Sequence, residues 1–284
     1  MAEVDLHLHT TFSDGRLTPT QLIQLLASKD LKYVAVTDHD STEGLPEALS
    51  AAKAFPAMTV IPGMELSTEA PGGECHILCY YVDPQDKELQ QSLATFRGNR
   101  KDRGRLIVER LAALGMPVSW ERVLALSDGG SVGRPHIARA MIERGYVATI
   151  QEAFDKYLGR NGPAYAERDK MTPQEGVALA LKAGALPVLA HPTYVEGLDT
   201  LVPALKEAGL VGMEVYYKGY DQKQVGTLRR MAELYNLIPC GGSDYHATGE
   251  AGEVEPGLVG PPMSTMRRLE ALKERRTTPQ TGSR

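Results

Sequence analysis

The chain has 284 residues, 42% of them hydrophobic and 24% charged, with a formal net charge of −5. That is enough to bury a large core, and it excludes the disordered, fibrous and strongly basic classes. No apolar run reaches the length of a membrane span, and the acidic opening MAEVD lacks the character of a secretory leader, so a soluble, cytoplasmic protein is expected. Three cysteines, Cys75, Cys79 and Cys240, form neither a paired-ligand spacing nor a disulfide framework, and read as small apolar residues near buried strands.

The first element is VDLHL (4–8). Side chains two apart on a strand share a face, so His7 and His9 point one way while Leu6 and Leu8 pack the other. A metal ion is the commonest partner of two adjacent imidazoles; the bland alternative is a pair of surface or core histidines. The amphipathic helix TPTQLIQLLASKD (18–30) follows, with Thr18 as its N-cap and Pro19 at its first position. Further strand patterns are YVAVT (33–37), TVIPG (59–63), HILCYYV (76–82), LPVLA (186–190), GMEVYY (212–217) and LIPCGG (237–242). The helix TPQEGVALALKAG (172–184) repeats the Thr-Pro start. Such alternation predicts an α/β fold with a parallel sheet, closed or nearly closed. Residues 98 to 170 read as a mostly helical insertion: RKDRGRLIVERLAAL (100–114), WERVLAL (120–126), HIARAMIERG (136–145) and IQEAFDKYL (150–158). The end, ERRTTPQTGSR (274–284), reads as a polar, disordered tail.

Six of the seven histidines fall within or beside the strands: His7, His9, His39, His76, His191 and His246, with only His136 elsewhere. Glu65 follows TVIPGM, Asp14 follows the first strand, and Asp244 sits two before His246. In a β/α barrel, polar residues at the carboxyl ends of strands converge on one face. Imidazole and carboxylate donors without thiolate favour manganese, iron or zinc. A bridging carboxylate such as Glu65 could hold two ions close enough to act together on a phosphoryl group. Asp38 and Asp40, flanking His39, are candidates for orienting ligands, with simple loop polarity as the alternative.

The segments HLHTTFSDG, TDHDSTEG, GMELS, CHILCYY, AHP and GSDYH occur in the order of the motifs of the PHP (polymerase and histidinol phosphatase) phosphoesterases, and the chain resembles that family. The resemblance implies a distorted (β/α)7 TIM-like barrel with two or three divalent metal ions, manganese being the expected one and iron or zinc the alternatives. Carried over by motif, His7, His9, Glu65 and Asp244 would take one ion. Glu65, His76 and His191 would take a second, and Asp14, His39 and His246 a third. Glu65, Asp244 and His191 are the catalytic candidates. Many members have a histidine where this chain has Asp14, which puts the third site in question. The barrel would comprise residues 1–97 and 171–284, with 98–170 as a substrate cap. Amidohydrolases also use HxH in a barrel, usually with a bridging lysine that is missing here.

Residues 97–170 carry 14 Lys and Arg against 9 Asp and Glu, a local charge of +5 in a chain of −5. A positive cap over a carboxylate-rich cleft suits an anionic substrate. In SVGRPHIARAM (131–141), glycine and serine precede a helix start beside Arg134 and His136, an arrangement that binds phosphate. Arg160 and Lys170 are further substrate-binding candidates, whereas Arg100, Arg103 and Arg105 read individually as a solvated helical face. The GRPH-containing insertion narrows the resemblance to PHP enzymes acting on nucleoside 3′,5′-bisphosphates, a group that includes 5′-to-3′ exoribonucleases of short RNA. It implies a nucleotide partner, with short RNA as a second one, and neither a DNA-binding module nor a membrane partner; oligomeric state is left open. Histidinol phosphatase is the nearest enzymatic alternative, although its cationic substrate suits a basic cap poorly. A metal-stabilised binding module without catalysis is the non-enzymatic one.

Overall fold

The computed structural model describes residues 2–71, 73–127, 130–167, 171–250 and 252–277. Seven strands form one sheet in chain order: β1 (Val4–Leu8), β2 (Tyr33–Val36), β3 (Thr59–Ala70), β4 (Gly73–Tyr80), β5 (Leu186–Leu189), β6 (Gly212–Tyr217) and β7 (Ile238–Gly242). The sheet curls into a nearly closed barrel. At the seam, His9 N–H donates to Tyr245 O at 3.0 Å, and Ser243 N–H donates to the Asp5 carboxylate at 2.9 Å. A side chain thus completes part of the ladder. Gly242 is required there, because a Cβ would lie 2.5 Å from His7 N.

The expected all-parallel sheet needs correction. β4 runs antiparallel to both β3 and β5, while the other neighbours are parallel. β3 continues to Ala70, which pairs with Gly73 of β4, so Glu65 lies inside a strand rather than just after one. The reversal matters for the site: the amino half of β4, with His76, lies at the same end as the carboxyl ends of β3 and β5.

On the outside, α1 (Pro19–Ser28), α7 (Pro173–Lys182), α8 (Leu198–Ala208) and α9 (Gln222–Leu234) bury apolar faces on the strands through Leu22, Val177, Val202 and Leu228 among others. Thr18 and Thr172 form capping boxes with Gln21 and Glu175, as the Thr-Pro pairs predict. A helix α2 (Leu45–Ala52) packs beside α1. The last helix, α10 (Met263–Thr277), closes the other end of the barrel: Arg268 and Arg276 donate to Leu237 O and Ala185 O, which precede β7 and β5. Glu274 to Thr277 are therefore helical, not tail, because Met266 and Leu269 anchor α10 in the apolar core. Residues 278–284 lie outside the described residues.

The insertion is helical as expected, and only its first helix is longer than the sequence suggests. Helix α3 (Lys87–Ala113) starts on the barrel and runs into it, followed by α4 (Trp120–Leu126), α5 (Arg134–Glu143) and α6 (Ile150–Ala153). α6 runs on into a π-helical turn, Phe154–Leu158. These elements bury a core of their own around Ile107, Leu111, Val123, Ile137 and Met141. No helix among the described residues is long and apolar enough to cross a membrane.

Candidate metal centre

The strand ends bring together all nine residues proposed as ligands. His7 is on β1 and His9 follows it; Asp14 comes from a loop folded back by hydrogen bonds from Ser13 N and Gly15 N to Thr10 O. Gly15 is needed for this return, since a Cβ there would lie 2.5 Å from His9 O. His39 follows β2, Glu65 and His76 face each other across the β3–β4 hairpin, and His191 follows β5. Asp244 and His246 follow β7. His191 (φ 25°) and Asp244 (φ 49°) hold left-handed backbone conformations, a strain that folds tolerate chiefly at functional sites.

Glu65, 1% exposed, is the hub. Its Oε1 lies 2.8 Å from His76 Nδ1 and 2.9 Å from His191 Nε2. Its Oε2 lies 3.1, 3.2 and 3.3 Å from His7 Nε2, His39 Nδ1 and His9 Nε2. Asp244 Oδ1 is 3.1 Å from His9 Nε2 and 3.4 Å from His7 Nε2, while Tyr217 Oη and Lys218 Nζ hold its Oδ2 at 2.6 and 2.9 Å. Asp14 faces His246 Nε2 at 3.2 Å, His9 Nδ1 at 3.7 Å and His39 Nε2 at 3.8 Å. Three donor sets have ligand atoms within 4.8 Å of one another: His7, His9 and Glu65; His39, Glu65 and His76; and His9, Asp14, His39 and His246. His39 thus sits between two sets, and His9 also reaches the third.

Groups behind the cluster turn the rings inward. His7 Nδ1 is 3.2 Å from Glu214, whose other oxygen accepts the His191 N–H at 2.7 Å. With Nδ1 engaged by that carboxylate, His7 is turned so that its Nε2 faces Glu65 and Asp244. Ser13 Oγ–H donates to Asp38 at 2.6 Å and lies 3.3 Å from His9 Nδ1, so the serine oxygen is free to accept from that ring. His246 Nδ1 lies 2.9 Å from Asp244 O, which again directs Nε2 to the cluster. Asp40 instead accepts from Ser67 N and Arg100 Nε, at 2.8 and 2.5 Å, tying helix α3 to the barrel.

Burial opposes charge on these groups, but their neighbours outweigh it. Glu214, Glu65 and Asp244 hold His7 well above its ordinary value, and Asp244, Glu65 and Asp14 raise His9 to about 10. The surrounding histidines, with Lys218 at Asp244, hold Glu65, Asp14 and Asp244 well below the usual carboxylate range. His39 goes the other way, to about 3, because burial wins there.

The donor set fits divalent cations. His9 Nε2, Asp14 Oδ1 and His39 Nδ1 are buried without a hydrogen-bond partner, although each points at other candidate ligands. Buried polar atoms are otherwise almost always satisfied. An ion coordinated among them would satisfy all three atoms.

Beside the cluster lies a cavity of about 190 Å³, lined by Asp14, His39, His76 and three arginines, Arg100, Arg103 and Arg134. Glu74 joins the two: its Oε2 is 3.9 Å from His76 Nε2 and in contact with Arg134, and its Oε1 is 2.9 Å from Arg103. After the cost of burial, these arginines keep the Glu74 carboxyl well below its ordinary value. Arg103 Nη2 is buried without a hydrogen-bond partner. Arg134 also donates to Leu158 O at 3.1 Å and stacks on Phe154. The solvated-face reading therefore fails for Arg100 and Arg103, which the return of α3 over the barrel turns inward, whereas Arg105 stays exposed beside Trp120.

The other substrate-binding candidates fare differently. His136 is 1% exposed, and its Nδ1 accepts the Gly133 N–H at 2.9 Å, capping its own helix. Burial pushes it down to about 4, so the ring is neutral with its proton on Nε2. Arg160 is exposed near Gly73 and is not among the residues lining the cavity. Lys170 lies outside the described residues.

Glu214 and Glu74 had no place in the sequence reading. A glutamate in the middle of an otherwise apolar strand, GMEVYY, was the available signal for Glu214.

Comparison with known proteins agrees with this geometry. A family model described as the PHP domain matches residues 5–239. The chain is 34% identical over 247 residues to the 5′-3′ exoribonuclease Rnm of Salmonella typhimurium, covering 85% of this chain and 84% of that one. It is 32% identical over 257 residues to a 3′,5′-nucleoside bisphosphate phosphatase of Chromobacterium violaceum, covering 89% and 90%. A solved structure from Bifidobacterium adolescentis, described as that of a metal-dependent phosphoesterase, matches with a TM-score of 0.87 at 30% identity, over 99% of this chain and 98% of that one. The chain belongs to the PHP domain family, as a phosphoesterase built on a seven-stranded barrel.

Proposed function

We propose that the protein removes the 3′-phosphate from nucleoside 3′,5′-bisphosphates, and that it also cleaves the first linkage of short 5′-phosphorylated RNA. The observation that carries this reading is the position of Glu74, which places an arginine-lined cavity one carboxylate away from the ligand cluster. A substrate with two phosphates needs two such neighbouring places. The reacting phosphate belongs at the cluster; the remote 5′-phosphate belongs with Arg134 and Arg103, where the unpartnered Nη2 offers a donor.

His7, His9, Glu65 and Asp244 would hold one divalent ion, Glu65, His76 and His191 a second, and Asp14, His39 and His246, with His9 in reach, a third. Manganese is the ion we expect from this mixed nitrogen and oxygen set. Such ions activate water at neutral pH and neutralise charge developing on phosphoryl oxygens. The chain's own work is positional: Glu214 and Ser13 fix ring orientation, Lys218 and Tyr217 hold Asp244, and the arginines fix the far end of the substrate. The insertion acts as the cap that supplies those arginines.

Phosphate release from a nucleoside 3′,5′-bisphosphate, a 3′-monophosphate, a 5′-monophosphate and histidinol phosphate, each with Mn, Fe or Zn, tests the reading. Preference for the bisphosphate is expected. Preference for histidinol phosphate would overturn it, as would turnover of none of them.

A further inference from the structure

A second cavity opens on the other side of Asp14. It has a volume of about 390 Å³, within the range of about 300–1,000 Å³ typical of small-molecule sites, and is lined by Arg139, Ile150, Gln151, Lys218, His246 and Glu250 among others. It shares Asp14 and Pro135 with the arginine-lined cavity, so the two form the arms of one trough across the ligand cluster.

The arms differ in charge. The first presents three guanidinium groups against one carboxylate of its own, Glu74, besides the shared Asp14. In the second, Lys218 is paired with Asp244, and Glu250 and Glu253 line the cavity together with Arg139. Glu253 accepts three backbone N–H groups, from His246, Thr248 and Gly249. Arg139 donates from Nη2 to Asp14 O at 2.7 Å, while its Nε is buried without a hydrogen-bond partner. Two carboxylates would repel a second dianionic phosphate. Donors, acceptors and the apolar surfaces of Ile150 and Pro135 suit an uncharged, polar group.

We propose that this second arm seats the nucleoside that stays esterified to the reacting phosphate, so that the site is built for phosphodiesters as well as monoesters. The inference rests on the function proposed above. In either substrate, a water oxygen bonds to phosphorus, the P–O3′ bond breaks, and O3′ leaves with a proton derived from that water. A bisphosphate then yields inorganic phosphate. A 5′-phosphorylated dinucleotide yields a 5′-mononucleotide and a second nucleotide that keeps the phosphate on its 5′ oxygen. Only the dinucleotide places a group in the second arm.

The test measures kcat and KM for a nucleoside 3′,5′-bisphosphate and a 5′-phosphorylated diribonucleotide in wild type, Gln151→Trp and Arg139→Gln. Gln151 is exposed on α6, and tryptophan there fills the mouth of the arm. The expected result for Gln151→Trp is a loss of about tenfold in kcat/KM on the dinucleotide, mainly through KM, with the bisphosphate within about twofold of wild type. Arg139→Gln should cost the dinucleotide roughly fivefold more than the bisphosphate. Equal losses on both substrates, or no loss on the dinucleotide in either variant, would overturn the second arm. A wild type that turns over the bisphosphate but not the dinucleotide would also overturn it while leaving the phosphatase reading intact. Turnover of neither would remove the reading itself.

Discussion

On the barrel rim, the candidate functional groups are short side chains rooted in strands and the turns that follow them, packed so closely that burial alone would strip their charges. On the insertion they are long arginines reaching inward from helices, held by carbonyls, aromatic rings and two barrel carboxylates, Glu74 and Asp40. The difference teaches a division of labour. The barrel is suited to fix several atoms within a few tenths of an ångström, as coordination demands. Under the proposed function, the insertion would select a substrate by charge, which tolerates looser geometry. It also has its own hydrophobic core, so its surface can change without disturbing the rim.

Substitutions on the two sides should therefore fail in different ways. The largest effect belongs to Glu65→Gln, because both oxygens of this carboxylate serve the cluster. Activity should fall by roughly a thousandfold or more, as loss of several kcal/mol of metal-assisted stabilisation implies, on every substrate alike. Near-normal turnover with full metal content would break the bridging role.

Arg134→Ala should cost about 1.5–3 kcal/mol, roughly ten- to a hundredfold in kcat/KM, on a nucleoside 3′,5′-bisphosphate. It should cost little on a 3′-monophosphate, which has nothing to place beside Arg134. An equal loss on both would mean that the arginine serves the reacting phosphate or the fold. His136→Ala sharpens the point: since its Nδ1 caps α5, we expect a stability loss of about 1 kcal/mol, visible in chemical denaturation, with no substrate discrimination.

Glu214→Gln keeps the shape but weakens the acceptor behind His7. Metal affinity should drop by about ten- to a hundredfold, read by titration of the metal-free protein, and excess metal should restore much of the activity. No change in affinity would reduce Glu214 to a structural role. The smallest effect is expected from Asp14→His, which should shift the ratio of Mn- to Zn-supported activity toward Zn. An unchanged ratio would show that Asp14 is not a ligand.

Much of the rim was legible because its chemistry is local. HxH on a strand, histidines at strand ends and a Thr-Pro helix start are each set within a few residues, by the two-residue period of strands and by backbone capping. The direction of β4 was not legible, since HILCYYV has the same pattern whichever way it runs. The start of the expected tail was set four residues early because Glu274 to Thr277 are polar themselves, and what holds them helical is the burial of Met266 and Leu269 earlier in the same helix.

By itself the sequence determined the seven strands, the helices of the insertion, the candidate ligand residues and the positive charge of the insertion, because these depend on spacing and composition. Only the tertiary structure decided which arginines face the site and which residues stand behind the ligands. Arg100 and Arg103 look no different from Arg105 along one helix; their environment is set by the packing of α3 over the barrel. Glu214 lies 207 residues from His7 in the chain yet meets it at 3.2 Å. Such pairings depend on the closure of the barrel, a long-range event that leaves no local pattern to read.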